Sequence, residues 1–313
     1  MDRKRFGRSS VLFVGGFCYL VTCGAGAKDH ELRAAQLPEQ AVKIADFRAE
    51  LSTSQVKDGS VVIVSVGLPE ELADASVKGD FEGIQLPFFA DTSKGEYHAV
   101  LGVPYNHKAG ETKVSIRVFK DGIEHFKAKE LPITILNGQY ASETLRVDPR
   151  HLNPTKKDIK RIYRDKAEVG KIYSQLIPRK YWKGPFRLPV ESAMTSVYGT
   201  KRVFNGRFAS FHSGLDFKAP VGTRVYASAP GEVVLAKNLF FTGNTVMVDH
   251  GYGVLTLYAH LSKIDVKRGQ LVDLNTLLGL SGETGRVSGP HLHWQAVVHK
   301  MKVNPLDLTK VMK

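Results

Sequence analysis

A few histidine and aspartate side chains near the C-terminus carry the chemistry that this chain could perform. The sequence reads His291-Leu292-His293, and upstream it contains a His212-x-x-x-Asp216 run, with His260 between the two groups. In a β-strand the side chains at positions i and i+2 lie on one face, so His291 and His293 could converge on one point. Three ligands drawn from His and Asp leave a fourth tetrahedral position of zinc open for water, as in hydrolytic sites. The residue types therefore predict a metal-dependent hydrolase.

Other hydrolytic and nucleotide-binding arrangements find no support in the sequence. It contains neither the Gly-x-Ser-x-Gly motif of serine hydrolases nor the His-Glu-x-x-His motif of the zincins. The glycine-rich run 281–290 lacks the Gly-Lys-Ser/Thr ending of a phosphate-binding loop, and we interpret it as a tight turn that leads into His291. His250, in a Val-Asp-His-Gly run at the end of a predicted strand, is interpreted as structural.

The N-terminus has the organisation of a secretory signal peptide. Four basic residues within positions 3–8 precede an apolar run over 11–23 and the small residues Ala25-Gly26-Ala27. This order predicts a signal peptide over 1–27 with cleavage after Ala27. The apolar run is shorter than the roughly 20 residues that a bilayer-spanning helix needs. We therefore expect an exported protein, located in the periplasm, the cell envelope or the medium.

Both cysteines, Cys18 and Cys23, lie inside this predicted signal peptide. The mature chain would then contain no disulfide, thiolate metal site or cysteine nucleophile. The run ending in Cys23 distantly resembles a bacterial lipobox, but Thr22 fits that pattern badly. Membrane association is thus expected only through the signal peptide or, as the less favoured alternative, through lipid on Cys23.

The formal net charge of +13 suits a protein that works on an anionic surface. Nucleic acid is not the expected partner, because the chain is predicted to be exported and lacks the repeated aromatic and basic residues of single-strand binders. The sequence leaves the oligomeric state open.

The length of 313 residues fits two domains. Short runs rich in β-branched residues, separated by turn residues and without helical patterns, predict a β-sandwich-like N-terminal domain over 28–145. These runs are Val61–Val66, His98–Val103, Val114–Phe119 and Ile133–Ile135.

A helical linker is predicted over 146–185. Asn153-Pro154-Thr155 followed by Asp158 is typical of a capping box at a helix start. One apolar face is predicted from Ile159, Ile162, Tyr163, Ile172, Tyr173 and Leu176. We favour a solvated connector over a membrane or nucleic-acid element, and Pro178 and Pro185 mark the entry to the second domain.

The C-terminal domain over 186–313 is predicted to be an antiparallel sheet, so the fold class is mainly β. Strand-like runs follow one another with glycine-containing turns between them. They are Arg224–Ala227, Glu232–Ala236, Thr245–Val248 and Val254–Tyr258.

This second domain resembles the lysostaphin/LytM family of zinc metalloendopeptidases, which cut peptide bonds in bacterial peptidoglycan. The resemblance covers about residues 186–307 and comprises many motifs in order. They are Phe186-Arg187-Leu188-Pro189, the run 196–202, the His212 and Asp216 run, Ala219-Pro220-Val221-Gly222-Thr223, the run 248–251, Tyr258-Ala259-His260-Leu261 and the run 289–294. Departures such as Tyr198 in place of the frequent phenylalanine, and changes around 273–276 and 281–285, remove none of the ligands. Asn205-Gly206 also matches, as a turn.

The resemblance implies that His212, Asp216 and His293 bind Zn²⁺, while His260 and His291 are catalytic histidines beside the metal. Zinc lowers the pKa of its bound water and polarises the scissile carbonyl. One histidine could move the proton from water to the leaving amine and the other could stabilise the oxyanion. The sequence does not assign these two roles.

Two functions follow as hypotheses. The first is a secreted zinc endopeptidase that cleaves stem peptides or cross-links of peptidoglycan, by a DD-endopeptidase-like reaction. The second is a wall-binding regulator of other wall hydrolases that does not turn over substrate, and the complete ligand set favours the first. The bond cleaved stays open, and so does the role of the N-terminal domain as scaffold, targeting module or lid.

Overall fold

The computed structural model of the protein describes residues 46–91, 95–145, 154–204 and 208–312. The predicted signal peptide with Cys18 and Cys23, and the predicted turn at Asn205-Gly206, lie outside these ranges. Within them, neither helix is both long enough and apolar enough to cross a membrane.

The first β region is built from two facing sheets. Its strands are β1 (Arg48–Leu51), β2 (Gln55–Lys57), β3 (Val61–Gly67), β4 (Ser76–Phe81), β5 (Ile84–Pro87), β6 (Phe89–Asp91), β7 (Glu96–Gly102), β8 (Gly110–Lys120), β9 (Ile123–Glu124) and β10 (Lys129–Leu136), with a 3₁₀ turn at Glu70–Leu72. One sheet has the order β1-β3-β7-β6, and the other has the order β2-β10-β8-β4-β5 with β9 paired to β8.

The core of this region lies between the two sheets. Alternate residues of β3, among them Val62 and Val64, are fully buried together with Ile116 and Val118 of β8. Because successive side chains of a strand point to opposite faces, this alternation gives each sheet one apolar inner face. The prediction of an N-terminal β-sandwich is confirmed, and the four predicted runs coincide with β3, β7, β8 and β10.

The connecting segment forms helix α1 (Lys156–Ser174), and its capping box is present as predicted. The Thr155 hydroxyl accepts a hydrogen bond from the Asp158 amide at 3.2 Å, and the Asp158 carboxylate accepts one from the Thr155 amide at 3.1 Å. The predicted apolar face is only partly correct. Ile162 and Ile172 are buried, whereas Ile159 and Tyr163 are exposed and Leu176 is exposed beyond the helix end.

Strand β11 (Ser142–Leu145) is the exit strand of the sandwich, and the remaining elements form the C-terminal region. They are β12 (Met194–Ser196), β13 (Lys201–Phe204), β14 (Phe208–Phe211), β15 (Leu215–Phe217), β16 (Arg224–Tyr226), β17 (Gly231–Leu239), β18 (Gly243–Gly251), β19 (Val254–Leu261), β20 (Lys263–Ile264), β21 (Leu271–Val272), β22 (Leu277–Leu280), β23 (Leu292–Val298), β24 (Met301–Val303) and α2 (Pro305–Val311).

A large sheet of order β12-β15-β23-β19-β18-β17-β21 organises this region, and β24 pairs with β23. Its central strands are buried on both faces. Val246 and Val248 of β18 pack into one core, and Met247 packs into a second core that includes Ile172 of α1. This double burial explains why the predicted runs here are continuously apolar rather than alternating. The antiparallel pairing of β17, β18, β19 and β23 confirms the predicted sheet.

The two β regions pack against each other within one compact unit. The outer face of β3 and β7 contributes Val61 and Val100 to a third core, together with Trp182, Val298 and Leu308 from the C-terminal region. The sandwich and the large sheet therefore stabilise one another, while the exact domain boundaries stay predictions.

His250 is fully buried near the end of β18. Its Nδ1 donates to the Pro230 carbonyl at 2.7 Å, and its Nε2 lies 2.8 Å from the Thr256 hydroxyl. The carbonyl can only accept, so Nδ1 carries a proton. Burial lowers the pKa of His250 from 6.5 to about 4.

This lowered pKa predicts acid sensitivity. The folded state binds the His250 proton more weakly than the unfolded state, so its stability contribution is complete above pH 6.5 and is lost as the pH falls towards about 4. The loss amounts to about 3 kcal/mol, at about 1.4 kcal/mol per pKa unit. We expect His250→Gln to be destabilised at pH 7 but to lose less further stability on acidification, as measured by urea unfolding between pH 4.5 and 7.

The Asp249 carboxyl has the opposite effect on the pH dependence of stability, because burial raises its pKa to about 6. Asp249 is present in the parent protein and in His250→Gln, so its contribution largely cancels in the difference between their free energies of unfolding. A constant separation between the two stability curves across this pH range would contradict the prediction.

Candidate metal centre

Strand pairing brings the first two candidate ligands face to face. In the antiparallel pair β15·β23, Asp216 lies directly opposite His293. Their neighbours Leu215, Phe217 and Trp294 point into the core on the other face of the sheet. The alternation of side chains therefore directs Asp216 and His293 to the same open face, within the short distance of a cross-strand pair.

His212 reaches the same point from the segment that precedes β15. Its amide donates to the Thr200 carbonyl and its carbonyl accepts from the Gly199 amide, both at 2.8 Å. The ring Nδ1 donates to the Val197 carbonyl at 2.9 Å. Since Nδ1 carries the proton, the lone pair on Nε2 is directed at the other two candidate ligands.

Three ligand atoms meet at this point. His212 Nε2 is 2.9 Å from Asp216 Oδ1 and 3.1 Å from His293 Nδ1, and the last two atoms are 2.8 Å apart. A nitrogen lone pair and a carboxylate oxygen at such a distance repel each other unless a proton or a metal cation lies between them. The cluster thus has the donor set and geometry of a cation site.

Electrostatics keep Asp216 ionised at this buried position. Burial alone raises its pKa, but the close contacts with the imidazoles of His212 and His293 outweigh that effect and hold the pKa well below its usual range. The other oxygen, Oδ2, accepts a hydrogen bond from Arg202 Nη2 at 2.9 Å. Oδ1 alone therefore faces the two histidines.

His260 lies beside the three-residue cluster and has an unusual backbone conformation. Its φ of 63° lies in the left-handed region, which costs on the order of 1–3 kcal/mol for a residue other than glycine. The ring is 6.0 Å from that of His293 between centroids, and Nδ1 donates to the Thr284 carbonyl at 2.8 Å. Burial, and then the nearby His293 and His291, lower the pKa of His260 to about 3, so its Nε2 is unprotonated at neutral pH.

His291 lies immediately before β23, where it forms an isolated bridge with Gly282. Its Nδ1 donates to the Gly289 carbonyl at 2.8 Å, and its Nε2 is 3.8 Å from Asp216 Oδ1. The ring is 4.8 Å from that of His260 between centroids. His260 and His291 thus form a pair of imidazoles next to the three-ligand cluster.

An open groove of about 350 Å³ lies next to the three-ligand cluster and the two flanking imidazoles. His260, His291 and His293 line it, and Arg286 and Glu143 are also in its wall. The Arg286 guanidinium lies 4.5 Å from the centre of the Phe241 ring.

The structure brings together all five residues that the sequence singled out: His212, Asp216, His260, His291 and His293. Three further neighbours were not found by sequence reasoning: Ser196, Arg202 and Glu143. Arg202 and Ser196 lie in a run that was recognised only as a motif. No sequence pattern around Glu143 marks it as a site residue, because strand pairing alone places it beside Arg202.

Comparisons with known proteins agree with this geometry. A model of Peptidase family M23 matches residues 210–305, which contain all five of these residues. A crystal structure described as a peptidase M23 from Pseudomonas aeruginosa is 30% identical with a TM-score of 0.60, and the alignment covers 80% of this chain and 94% of that one. The chain belongs to peptidase family M23. The resemblance in the second domain is thereby confirmed, and so is the mainly β fold.

Curated relatives of this M23 peptidase match over a shorter segment. Peptidoglycan DD-endopeptidase ShyA of Vibrio cholerae is 50% identical over 95 residues, covering 30% of this chain and 22% of the relative. Peptidoglycan DD-endopeptidase ShyB of the same organism is 38% identical over 125 residues, covering 38% and 29%. The chain therefore spans less than a third of these relatives, and Glu143 and Arg202 precede the segment that the family model matches.

Close packing at Gly214 generates a prediction for the metal site. A Cβ at this position would lie 2.4 Å from the Trp294 carbonyl oxygen and 2.8 Å from Cε1 of His293. Because the carbonyl belongs to the paired backbone, Gly214→Ala should displace β15 from β23 together with the His293 ring. We expect metal affinity to fall by roughly tenfold or more, which is the usual effect of disturbing the orientation of a metal ligand.

The measurement is a titration of the metal-free protein with a divalent cation in competition with a chelator. Gly184→Ala is the control, because a Cβ there meets nothing within 4 Å. Equal metal affinity in Gly214→Ala and the parent protein would show that this packing does not hold the ligand.

Proposed function

We propose that this M23 peptidase is a zinc-dependent endopeptidase that hydrolyses peptide bonds of bacterial peptidoglycan. The observation that carries the proposal is the convergence of Nε2 of His212, Oδ1 of Asp216 and Nδ1 of His293 at 2.8–3.1 Å from one another. Ligand atoms around tetrahedral zinc, with bonds of about 2.0–2.1 Å, are separated by roughly 3.3 Å. The observed separations differ from this by only a few tenths of an ångström.

The donor set also fits catalysis rather than structural support. Two imidazole nitrogens and one carboxylate oxygen fill three positions, and the open groove gives access to a fourth. When bound, zinc supplies Lewis-acid polarisation of the scissile carbonyl and lowers the pKa of water. The residues of the chain must then hold the peptide, move protons and stabilise the developing charge.

His260 and His291 are the residues proposed for those steps. Each ring donates Nδ1–H to a backbone carbonyl, which fixes its orientation and leaves Nε2 available. An unprotonated Nε2 can accept the proton of the attacking water and return it to the leaving amine. The partner imidazole, once protonated, can stabilise the negative charge that develops on the carbonyl oxygen.

Peptidoglycan is proposed as substrate because the matching relatives are named peptidoglycan DD-endopeptidases. A cross-link peptide is flexible and extended, and an open groove can accept such a chain more readily than a closed pocket can. The net charge of +13 favours binding to an anionic wall. Export to the cell envelope belongs to the same proposal, since the substrate lies outside the cytoplasm.

Digestion of purified peptidoglycan tests the proposal directly. The zinc-loaded protein should release soluble muropeptides whose masses show hydrolysed peptide bonds and intact glycan. A chelator should abolish release and added zinc should restore it. His293→Ala should lose zinc and activity together, whereas His125→Ala, an exposed histidine of the sandwich, should behave as the parent protein.

Mass spectrometry of the products also identifies the bond cleaved. A protein that binds zinc at the wall but releases no muropeptide would support the alternative of a regulator without turnover. Undiminished digestion by the chelated protein would refute the zinc-dependent reaction.

Substitution of the two flanking histidines separates proton transfer from metal binding. We expect His260→Ala and His291→Ala each to lower kcat by roughly 10²–10⁴-fold, the usual contribution of a positioned acid or base. Zinc content should remain stoichiometric, because neither ring contributes to the three-ligand cluster. Steady-state kinetics with parallel zinc analysis check this, and zinc loss in either variant would move that histidine into the ligand set.

A further inference from the structure

The carboxylate of Asp216 is oriented by an ion-pair chain that begins outside the segment matched by the family model. We propose that Glu143 and Arg202 are positioning residues of the metal centre. Glu143 fixes Arg202, and Arg202 holds Oδ2 of Asp216 so that Oδ1 alone is presented to the metal. The inference rests on the proposed function, since it concerns the same zinc site.

The contacts form an unbroken chain. Arg202 Nε donates to Glu143 Oε1 at 2.6 Å, and Arg202 Nη2 donates to Asp216 Oδ2 at 2.9 Å. The same Nη2 lies 2.9 Å from the Ser196 hydroxyl, which is 3.1 Å from Nδ1 of His212. One guanidinium thus contacts one metal-ligating carboxylate directly and approaches a metal-ligating imidazole through a hydroxyl.

The chemistry of arginine explains why the chain can set an orientation. A guanidinium is planar and rigid, so a contact on its Nε edge fixes the direction of the donors on its other edge. Glu143 occupies the Nε edge, and Asp216 is held from Nη2. An ammonium group could neutralise charge at this position but could not transmit direction in this way. Outer contacts of this kind to a ligating carboxylate tune both its geometry and its affinity for metal.

Burial makes these contacts stronger than an ordinary surface ion pair. The side chains of Asp216 and Arg202 are 9% and 19% exposed, and that of Glu143 is 32% exposed. Two carboxylates flank one guanidinium, so the charge of Arg202 is shared between them. Loss of Glu143 would leave Arg202 held from one side only and free to rotate away from Oδ2.

The N-terminal sandwich delivers Glu143 to this position. Strand β11 pairs in parallel with β13, and the register places Glu143 directly beside Arg202. Just before β11, the Tyr140 hydroxyl donates to the backbone carbonyl of Asp58, and the Gly138 amide donates to the Asp58 carboxylate. The exit strand of the sandwich is therefore anchored at one end in the sandwich and at the other beside the metal ligands.

An alternative role for Glu143 follows from its place in the wall of the groove. There it could hinder substrate entry, in which case its removal would raise activity. Its short contact to Arg202, with the guanidinium turned towards Asp216, favours the positioning role. The two roles give opposite results in the experiment below.

The experiment measures zinc affinity of the full-length protein by competition with a chromogenic chelator. We expect Glu143→Gln to weaken zinc binding by roughly 10–100-fold, the usual effect of losing an outer contact to a metal ligand. Arg202→Gln should weaken it at least as much. The double variant should be no weaker than Arg202→Gln, because Glu143 acts through Arg202.

Two further readouts separate positioning from general destabilisation. Cobalt substituted for zinc should show a changed visible absorption spectrum in Glu143→Gln, while the thermal unfolding of the metal-free proteins should be similar. Glu130→Gln is the matched control, since Glu130 forms an ion pair with Lys113 elsewhere in the sandwich. It should bind zinc and cobalt as the parent protein does.

Unchanged zinc affinity and cobalt spectrum in Glu143→Gln would overturn the inference, as would additive effects in the double variant. Faster peptide cleavage with unchanged affinity would assign Glu143 to occlusion of the groove and would also overturn it. Failure of the proposed function is distinguishable, because it would show in the parent protein as absent zinc binding or absent digestion of peptidoglycan.

Discussion

The antiparallel pairing of β15 with β23 is the constraint on which the rest of the site depends. It places Asp216 opposite His293 with their neighbours buried in the core below. A shift of β15 by one residue in this register would turn Asp216 into the core and an apolar neighbour of Asp216 into the groove. The hydrophobic core therefore fixes the position of these two candidate ligands, and the same burial strengthens the electrostatic interactions between them.

Three further histidines surround Asp216 and His293 at two different distances. His212 completes a cluster of three ligand atoms, and its ring orientation is set by the Val197 carbonyl. His260 and His291 stand one ring further out, each fixed through Nδ1 by a backbone carbonyl. The left-handed backbone at His260 shows that the fold tolerates local strain to direct this ring into the groove. Backbone carbonyls thus fix the orientation of the three rings of His212, His260 and His291.

The sandwich is joined to this arrangement by apolar packing and by strand pairing. A shared core joins its outer face to the C-terminal region, and its exit strand β11 pairs with β13 beside the site. Hydrogen bonds of Gly138 and Tyr140 with Asp58 lie just before β11, and the register of β11 places Glu143 beside Arg202.

Local sequence patterns were sufficient to predict those features that depend on interactions between residues close together in the sequence. Short runs rich in β-branched residues, separated by turns, predicted eight of the strands, and Thr155 with Asp158 predicted the helix start. The five residues that form the site could be named because each lies in a compact motif. The apolar face of α1 was predicted less well, since Ile159 and Tyr163 fit the helical period but are exposed among the residues that the structure describes. Which face of a helix is buried depends on what packs against it, and the helix sequence alone does not contain that information.

The residue types of the candidate metal site could therefore be identified in the sequence, because ligand chemistry restricts them to a few side chains. The distances among them, the left-handed turn at His260 and the ion-pair chain from Glu143 through Arg202 to Asp216 arise only in the folded molecule. Glu143 and Asp216 are far apart in sequence, yet both contact the guanidinium of Arg202, which the pairing of β11 with β13 places beside Glu143. Contacts of this kind depend on register and packing between distant segments, which no local pattern encodes.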